Sequence, residues 1–253
     1  ASLMSYIDFP SGSASLAYSN GVTVLDTTIS GRDTYAGWVS GGTTPGFPIL
    51  DRMVGFQVNF TVQVSETHLN NNRAGFSVII LDKDAKGIEL SFWENEIWVQ
   101  SDDSTGGLFK HGEGIAFATN ALTDYQVTFM GDTYTLTANA QPLLTGPLRD
   151  YSAFAGFPDP YETPNFLFFG DNTTSAQTRV RLRFVSVTGT EPVVPASTGV
   201  ITPQPQPRAT PNPALPPSKP VFELCPSGWL VGVVAIASTM MVKKTRRHRT
   251  DRF

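Results

Sequence analysis

Residues 1–189 predict an all-β fold, a jelly-roll β-sandwich built from many short strands. Three observations carry that expectation. Phe56, Val58, Phe60, Val62 and Val64 alternate with Gln57, Asn59, Thr61, Gln63 and Ser65, so a long strand has one apolar and one wet face. Short β-branched and aromatic runs then recur with turn-forming residues between them. No segment here has the 3.6-residue period of an amphipathic helix.

Residues 1–49 carry little patterning. After the strand at 56–65, strands are expected at 75–81, 87–93, 96–100, 125–130, 134–138, 165–169 and 179–187. Asp82-Lys83-Asp84-Ala85-Lys86-Gly87, Gly131-Asp132, Asn139-Ala140 and Gly170-Asp171-Asn172 supply the turns, since Asp, Asn and Gly tolerate or stabilise tight backbone. Many strands with regular turns imply a sandwich.

Composition changes at Thr190. Ten of the 19 prolines fall between Thr190 and Pro220, so 190–223 reads as a disordered linker. At about 3.1 Å per residue in extended polyproline form, it reaches on the order of 90 Å. An apolar segment follows at 224–242, then a basic tail at 243–253 with six Lys and Arg. A membrane span needs about 20 apolar residues, and basic residues stay on the cytoplasmic side. The expectation is one C-terminal transmembrane helix with the β-domain exported to the cell surface. A cleaved signal peptide would leave a start such as Ala1, and so would a fragment.

Before position 243 the chain has 12 basic and 21 acidic residues, a net charge of about −9. That excludes nucleic acid as a partner of the folded part. The single cysteine, Cys225, allows no intrachain disulfide, and a domain of this size buries enough core without one.

Two stretches resemble a known family. They are Arg73 to Ile80 continuing through Gly87–Trp93 and Glu96–Trp98, and Pro160-Tyr161-Glu162-Thr163-Pro164-Asn165-Phe166 running on to Asp171. They are similar to bacterial choice-of-anchor surface domains of concanavalin-A-like (laminin-G-like) jelly-roll type. The C-terminal segment resembles PEP-CTERM-type sorting signals, although Cys225-Pro226-Ser227-Gly228 stands where Pro-Glu-Pro would be. The resemblance implies a fold, a surface location, and a sorting protease or transpeptidase acting near Cys225 and Pro226. It implies no particular activity.

The chemistry-bearing segment is a hairpin about Glu94-Asn95. A tight turn there makes Trp93 face Glu96, Phe92 face Ile97, Ser91 face Trp98 and Glu89 face Gln100. Ile88, Leu90, Phe92, Ile97 and Val99 then share the core face. Glu89, Ser91, Trp93, Glu96, Trp98 and Gln100 share the other. Indoles beside carboxylates and an amide have the composition of a sugar-binding surface, if that face is wet. If a loop or the N-terminal segment covers it, the tryptophans are core instead. The expected function is a non-catalytic, surface-anchored module binding extracellular polysaccharide through Trp93, Trp98, Glu89, Glu96 and Gln100, with no catalytic residues. The alternatives are a polysaccharide-active glycoside hydrolase of laminarinase-like fold and a structural coat protein. Glu89-Leu90-Ser91-Phe92-Trp93-Glu94 is similar to the laminarinase Glu-x-Asp-x-x-Glu motif, with Ser91 in place of the aspartate. Retaining hydrolysis needs two carboxyl groups about 5–5.5 Å apart, and a turn position does not aim Glu94 at Glu89.

No cofactor is required, but calcium is open at Asp82 and Asp84, or at Asp171 and Asn172; each pair also suits a tight turn. His68 and His111 fall in polar loops and read as solvated surface. Arg179, Arg181 and Arg183 alternate along the last strand, to bind an acidic glycan, pair with acids such as Glu89 or Glu96, or guard an edge.

Overall fold

The computed structural model describes residues 4–29, 35–41, 44, 46–68, 72–103 and 107–189. The linker, anchor and tail expected at 190–223, 224–242 and 243–253, with Cys225 and Pro226, lie outside the described residues. Among the described residues no helix is long and apolar enough to cross a membrane.

Among the described residues fourteen strands follow one another: β1 Ser5–Phe9, β2 Ser15–Ser19, β3 Val22–Asp26, β4 Tyr35–Gly41, β5 Phe56–His68, β6 Phe76–Leu81, β7 Gly87–Phe92, β8 Glu96–Asp102, β9 Leu108–Ala116, β10 Thr123–Met130, β11 Thr133–Ala138, β12 Gln141–Pro147, β13 Phe166–Asp171 and β14 Gln177–Gly189. They form two seven-stranded antiparallel sheets. One runs β1-β4-β13-β6-β7-β8-β9, the other β12-β11-β10-β5-β14-β3-β2. This is the sandwich that the strand pattern predicts. Every strand expected from the sequence is present, and β1–β4, β9 and β12 are additional.

The core lies between the sheets. Phe56, Val58, Phe60, Val62 and Val64 of β5 are fully or almost fully buried there, facing Phe92, Ile97 and Phe169 of the opposite sheet. Phe60 stacks on Tyr125 at 5.4 Å and meets Phe169 edge-on at 5.1 Å. Such ring pairs add about 0.5–1.5 kcal/mol beyond the area they bury. Close approach within the other sheet depends on glycine: a Cβ at Gly37 of β4 would collide with the Phe169 carbonyl oxygen of β13.

A second apolar cluster lies on the outer face of the β6–β9 sheet. Ile79, Leu81, Phe166 and Phe168 from the sheet pack with Tyr151 and Tyr161, flanked by Phe109 and Phe154. Tyr151, Phe154 and Tyr161 come from the segment between β12 and β13, which lies across that face. Its start is tied to β7, where Arg149 N–H donates to the Gly87 carbonyl at 2.7 Å and Gly87 N–H to Arg149 at 3.1 Å. Its end is tied to the β6–β7 turn, where Asn165 N–H donates to the Asp82 carbonyl at 2.7 Å. The sheet therefore has a core on both sides over much of its area.

Candidate functional site

The hairpin forms with the expected register. Leu90 pairs with Val99, Ser91 with Trp98 and Phe92 with Ile97, and Trp93 N–H donates to the Glu96 carbonyl at 2.9 Å. Ile88, Leu90, Phe92, Ile97 and Val99 all enter the main core. One position departs from the ladder. Where Glu89 and Gln100 would bond directly, the Tyr151 hydroxyl is inserted: Glu89 N–H donates to it at 3.1 Å, and it donates to the Gln100 carbonyl at 2.7 Å.

That insertion shows why the wet-face expectation fails. The covering segment buries the face, and Glu89, Ser91, Trp98 and Gln100 are each 0% exposed. His111, in β9 rather than a loop, stacks on Trp98 at 4.1 Å. Burial pulls the His111 ring below the usual histidine range, with Glu96, 3.8 Å away, opposing. Gln100 Nε2 donates to Ser91 Oγ at 2.7 Å and to the Asn72 carbonyl at 3.1 Å. Trp93 and Glu96 keep partial exposure, and Trp93 Nε1 donates to the Arg73 carbonyl at 3.1 Å. These five residues do not make an open sugar platform.

The other expected sites divide between those the structure overturns and those it keeps. The cation between Asp82 and Asp84 is Arg52: it pairs with Asp82, reaches Asp84 at 2.8 Å and Asp132 at 3.2 Å. Asp82 Oδ1 also accepts the N–H groups of Asp84 and Lys86 at 2.8 and 3.0 Å, so turn and ion pair occupy the carboxylate proposed for calcium. Among the described residues no three His, Cys, Asp or Glu gather as a metal site. Asp171 is buried, with Oδ2 2.7 Å from Thr27 Oγ1, and burial raises its carboxyl well above the usual range. Glu94 is exposed in the turn and does not join Glu89. The three arginines lie on β14, inside the other sheet rather than at its edge. Arg179 pairs with Asp26 at 2.8 Å and Arg181 donates to Gln63 at 3.0 Å.

The covering segment does more than bury the face. Between it, the β13–β14 loop and Arg73 lies a cavity of about 230 Å³. Tyr35, Phe109, Phe154, Phe157, Pro158 and Pro160 line its walls, and Thr173, Thr174 and Ser175 add hydroxyls. Arg73, Tyr161 and Asn172 also line it, and Glu89 stands behind them. Tyr161 Oη donates to Glu89 Oε2 at 2.5 Å. Asn172 Nδ2 donates to Glu89 Oε1 at 3.1 Å and to Tyr161 Oη at 3.3 Å. Arg73 Nη2 is 3.4 Å from Glu89 Oε1 and donates to Asn172 Oδ1 at 3.3 Å. The guanidinium lies 4.9 Å from the centre of the Phe109 ring, within cation–π range.

Burial, then the Glu89 charge, pushes the Tyr161 hydroxyl well above its ordinary value, so it carries its proton at neutral pH. Burial disfavours the Arg73 charge, but Glu89, Tyr161 and Asp171 together more than compensate and the guanidinium stays protonated. The result is a protonated hydroxyl held against a carboxylate that Arg73 and Asn172 orient. A reactive group, a base within hydrogen-bond reach and a group orienting that base form a recurrent catalytic arrangement. Sequence reading missed Arg73 and Tyr161 as site residues and named Asn172 only as a calcium candidate beside Asp171. Tyr161 is 72 residues from Glu89, and neither local spacing nor alternation reports that contact.

Solved structures of related shape exist at low identity. An alginate lyase of polysaccharide lyase family 7 (AlgAT5) has 9% identity, with 72% of this chain covering 84% of that one at a TM-score of 0.47. A second family 7 alginate lyase, A1-II′, has 9% identity, 71% and 84% coverage and a TM-score of 0.46. A carbohydrate esterase from the Shiga toxin-encoding bacteriophage phi24B has 16% identity, 74% and 90% coverage and a TM-score of 0.46. No family model matches the chain, and no curated protein matches it by sequence. The non-catalytic module expected from the sequence is corrected. The face it was to bind through is covered.

Proposed function

We propose that this β-sandwich is a polysaccharide-active enzyme that cleaves a glycosidic linkage at the cavity between Arg73, Tyr161 and the β13–β14 loop. The carrying observation is the Tyr161 hydroxyl, 2.5 Å from the buried Glu89 carboxylate in an aromatic-walled cavity. A water in the cavity gives a proton to Tyr161 as Tyr161 gives its own to Glu89; the water oxygen bonds to the anomeric carbon, the glycosidic C–O bond breaks, and the proton returns through Tyr161 to the departing oxygen. Arg73 and Asn172 hold Glu89 in place for it. Aromatic walls stack on sugar rings, and Thr173, Thr174, Ser175 and Asn172 offer hydrogen bonds to hydroxyls. The volume is below the roughly 300–1,000 Å³ of drug-sized sites, so it seats a single sugar unit.

The test is a polysaccharide panel with the purified full-length chain, read as new reducing ends or new unsaturated ends. Product from at least one polymer is expected, and no product from any would sink the reading.

The apolar segment at 224–242 and the basic tail support a surface location, with 190–223 as the spacer and a choice-of-anchor-like arrangement of head and anchor. Protease added to intact cells should remove the β-domain and spare the tail. A cleaved tail with a protected β-domain would reverse the orientation.

A further inference from the structure

We infer that the cavity selects a neutral polysaccharide and rejects polyanionic ones such as polyuronates. This rests on the cavity being the glycan site proposed above, and it concerns charge alone.

Among the described residues, Arg73 is the one charged residue lining the cavity. A lone guanidinium would favour a sugar carboxylate, which it binds well through paired N–H donors. Here its charge is already matched. Glu89, 0% exposed, lies 3.4 Å from Arg73 Nη2, and Asn172 Oδ1 accepts from the same nitrogen at 3.3 Å. The Phe109 ring lies 4.9 Å from the guanidinium carbon. An incoming carboxylate would compete with Glu89 for Arg73 in a poorly solvated place, where displacing either charge is costly.

The surroundings have the same sign. Residues 150–175, which form the rest of the covering segment, β13 and the rim, carry Asp150, Asp159 and Glu162 besides the buried Asp171 and no Lys or Arg, and Arg149 at the segment's start is paired with Glu113. The chain before position 243 is about nine charges negative. A polyanion must approach against that field, which slows its association and lowers its local concentration. The remaining lining is uncharged: apolar rings for stacking, and Thr173, Thr174 and Ser175 for hydroxyls.

The experiment compares soluble neutral β-glucan and xylan with alginate and polygalacturonate at low and physiological salt, measuring turnover by product release and affinity by calorimetry with the corresponding oligosaccharides. A neutral polymer should be preferred at least ten-fold. Preference for an acidic polymer overturns this inference and leaves the enzyme reading standing. If nothing turns over, the enzyme reading falls and affinity decides this one: tighter neutral oligosaccharides support it, and tighter acidic ones, or none bound, overturn it. Glu89→Gln, confirmed folded by its thermal transition, isolates the cause. It frees the Arg73 charge, so the neutral-to-acidic affinity ratio should narrow several-fold. An unchanged ratio overturns the charge account.

Discussion

Trp98→Ala should lower the stability of the domain by about 3–5 kcal/mol, the cost of truncating a large buried aromatic, and so behave like Phe92→Ala. Both side chains are fully buried, on opposite faces of the same hairpin. Phe92 lies in the core between the sheets, where it meets Phe76 and Tyr125 at 5.4 and 5.5 Å. Trp98 lies beneath the outer layer, stacked on His111 at 4.1 Å and edge-on to Trp93 at 4.5 Å. One effect works the other way. Trp98 Nε1 is buried without a hydrogen-bond partner, and removing an unsatisfied donor recovers about 1–3 kcal/mol. The net loss therefore falls toward the lower end. Even so, it is a large share of the roughly 5–15 kcal/mol that a domain has. Thermal unfolding followed by circular dichroism should show a midpoint roughly 6–12 °C lower, from about 3 kcal/mol at about 2–4 °C per kcal/mol for this size. Trp93→Ala should cost less, because Trp93 is only half-buried. A Trp98→Ala midpoint within about 2 °C of the parent would mean that the face around Trp98, Trp93 and His111 is open.

The same hairpin shows what the sequence can and cannot convey. Its turn, register and face assignment follow from local alternation around Glu94-Asn95, and Leu90–Val99, Ser91–Trp98 and Phe92–Ile97 pair as that alternation requires. Whether the second face is wet depends on residues far along the chain. Tyr151 reaches Glu89 across 62 positions, from a segment with three prolines and no period to read. Composition was misleading in a specific way: indoles, carboxylates and an amide suit a sugar platform, and they equally suit a polar layer that satisfies itself under a cover. Asp82 and Asp84 have the same ambiguity, resolved by Arg52 from 30 residues upstream. The missed strands have local reasons too. β12 contains Pro142 and Pro147, tolerated because it is an edge strand, and β9 contains Gly112 and Gly114 among polar residues. Glycine is needed at 114, where a Cβ would come within 2.8 Å of the Trp98 Cβ.

Tyr161→Phe should reduce kcat by about 10²–10⁴-fold with little change in KM, the usual range for losing a positioned proton-transfer group. The substitution deletes one oxygen and keeps the ring, which packs against Phe109, Tyr151 and Phe154 at 5.0–5.5 Å. Glu89 loses its 2.5 Å donor but retains Asn172 at 3.1 Å and Arg73 at 3.4 Å, so its charge stays compensated. The stability loss should be about 1–3 kcal/mol, the range for leaving a buried acceptor one partner short, and the fold survives it. Glu89→Gln should reduce kcat similarly, because the hydroxyl then has no carboxylate to exchange its proton with. The decisive measurement is the double variant. If hydroxyl and carboxylate act as one unit, Tyr161→Phe with Glu89→Gln should be little worse than either alone, since a disabled pair cannot be disabled twice. Multiplicative losses would show two independent contributions to binding instead. Tyr161→Phe activity within about ten-fold of the parent would remove Tyr161 from the chemistry, while leaving its ring as a wall of the cavity.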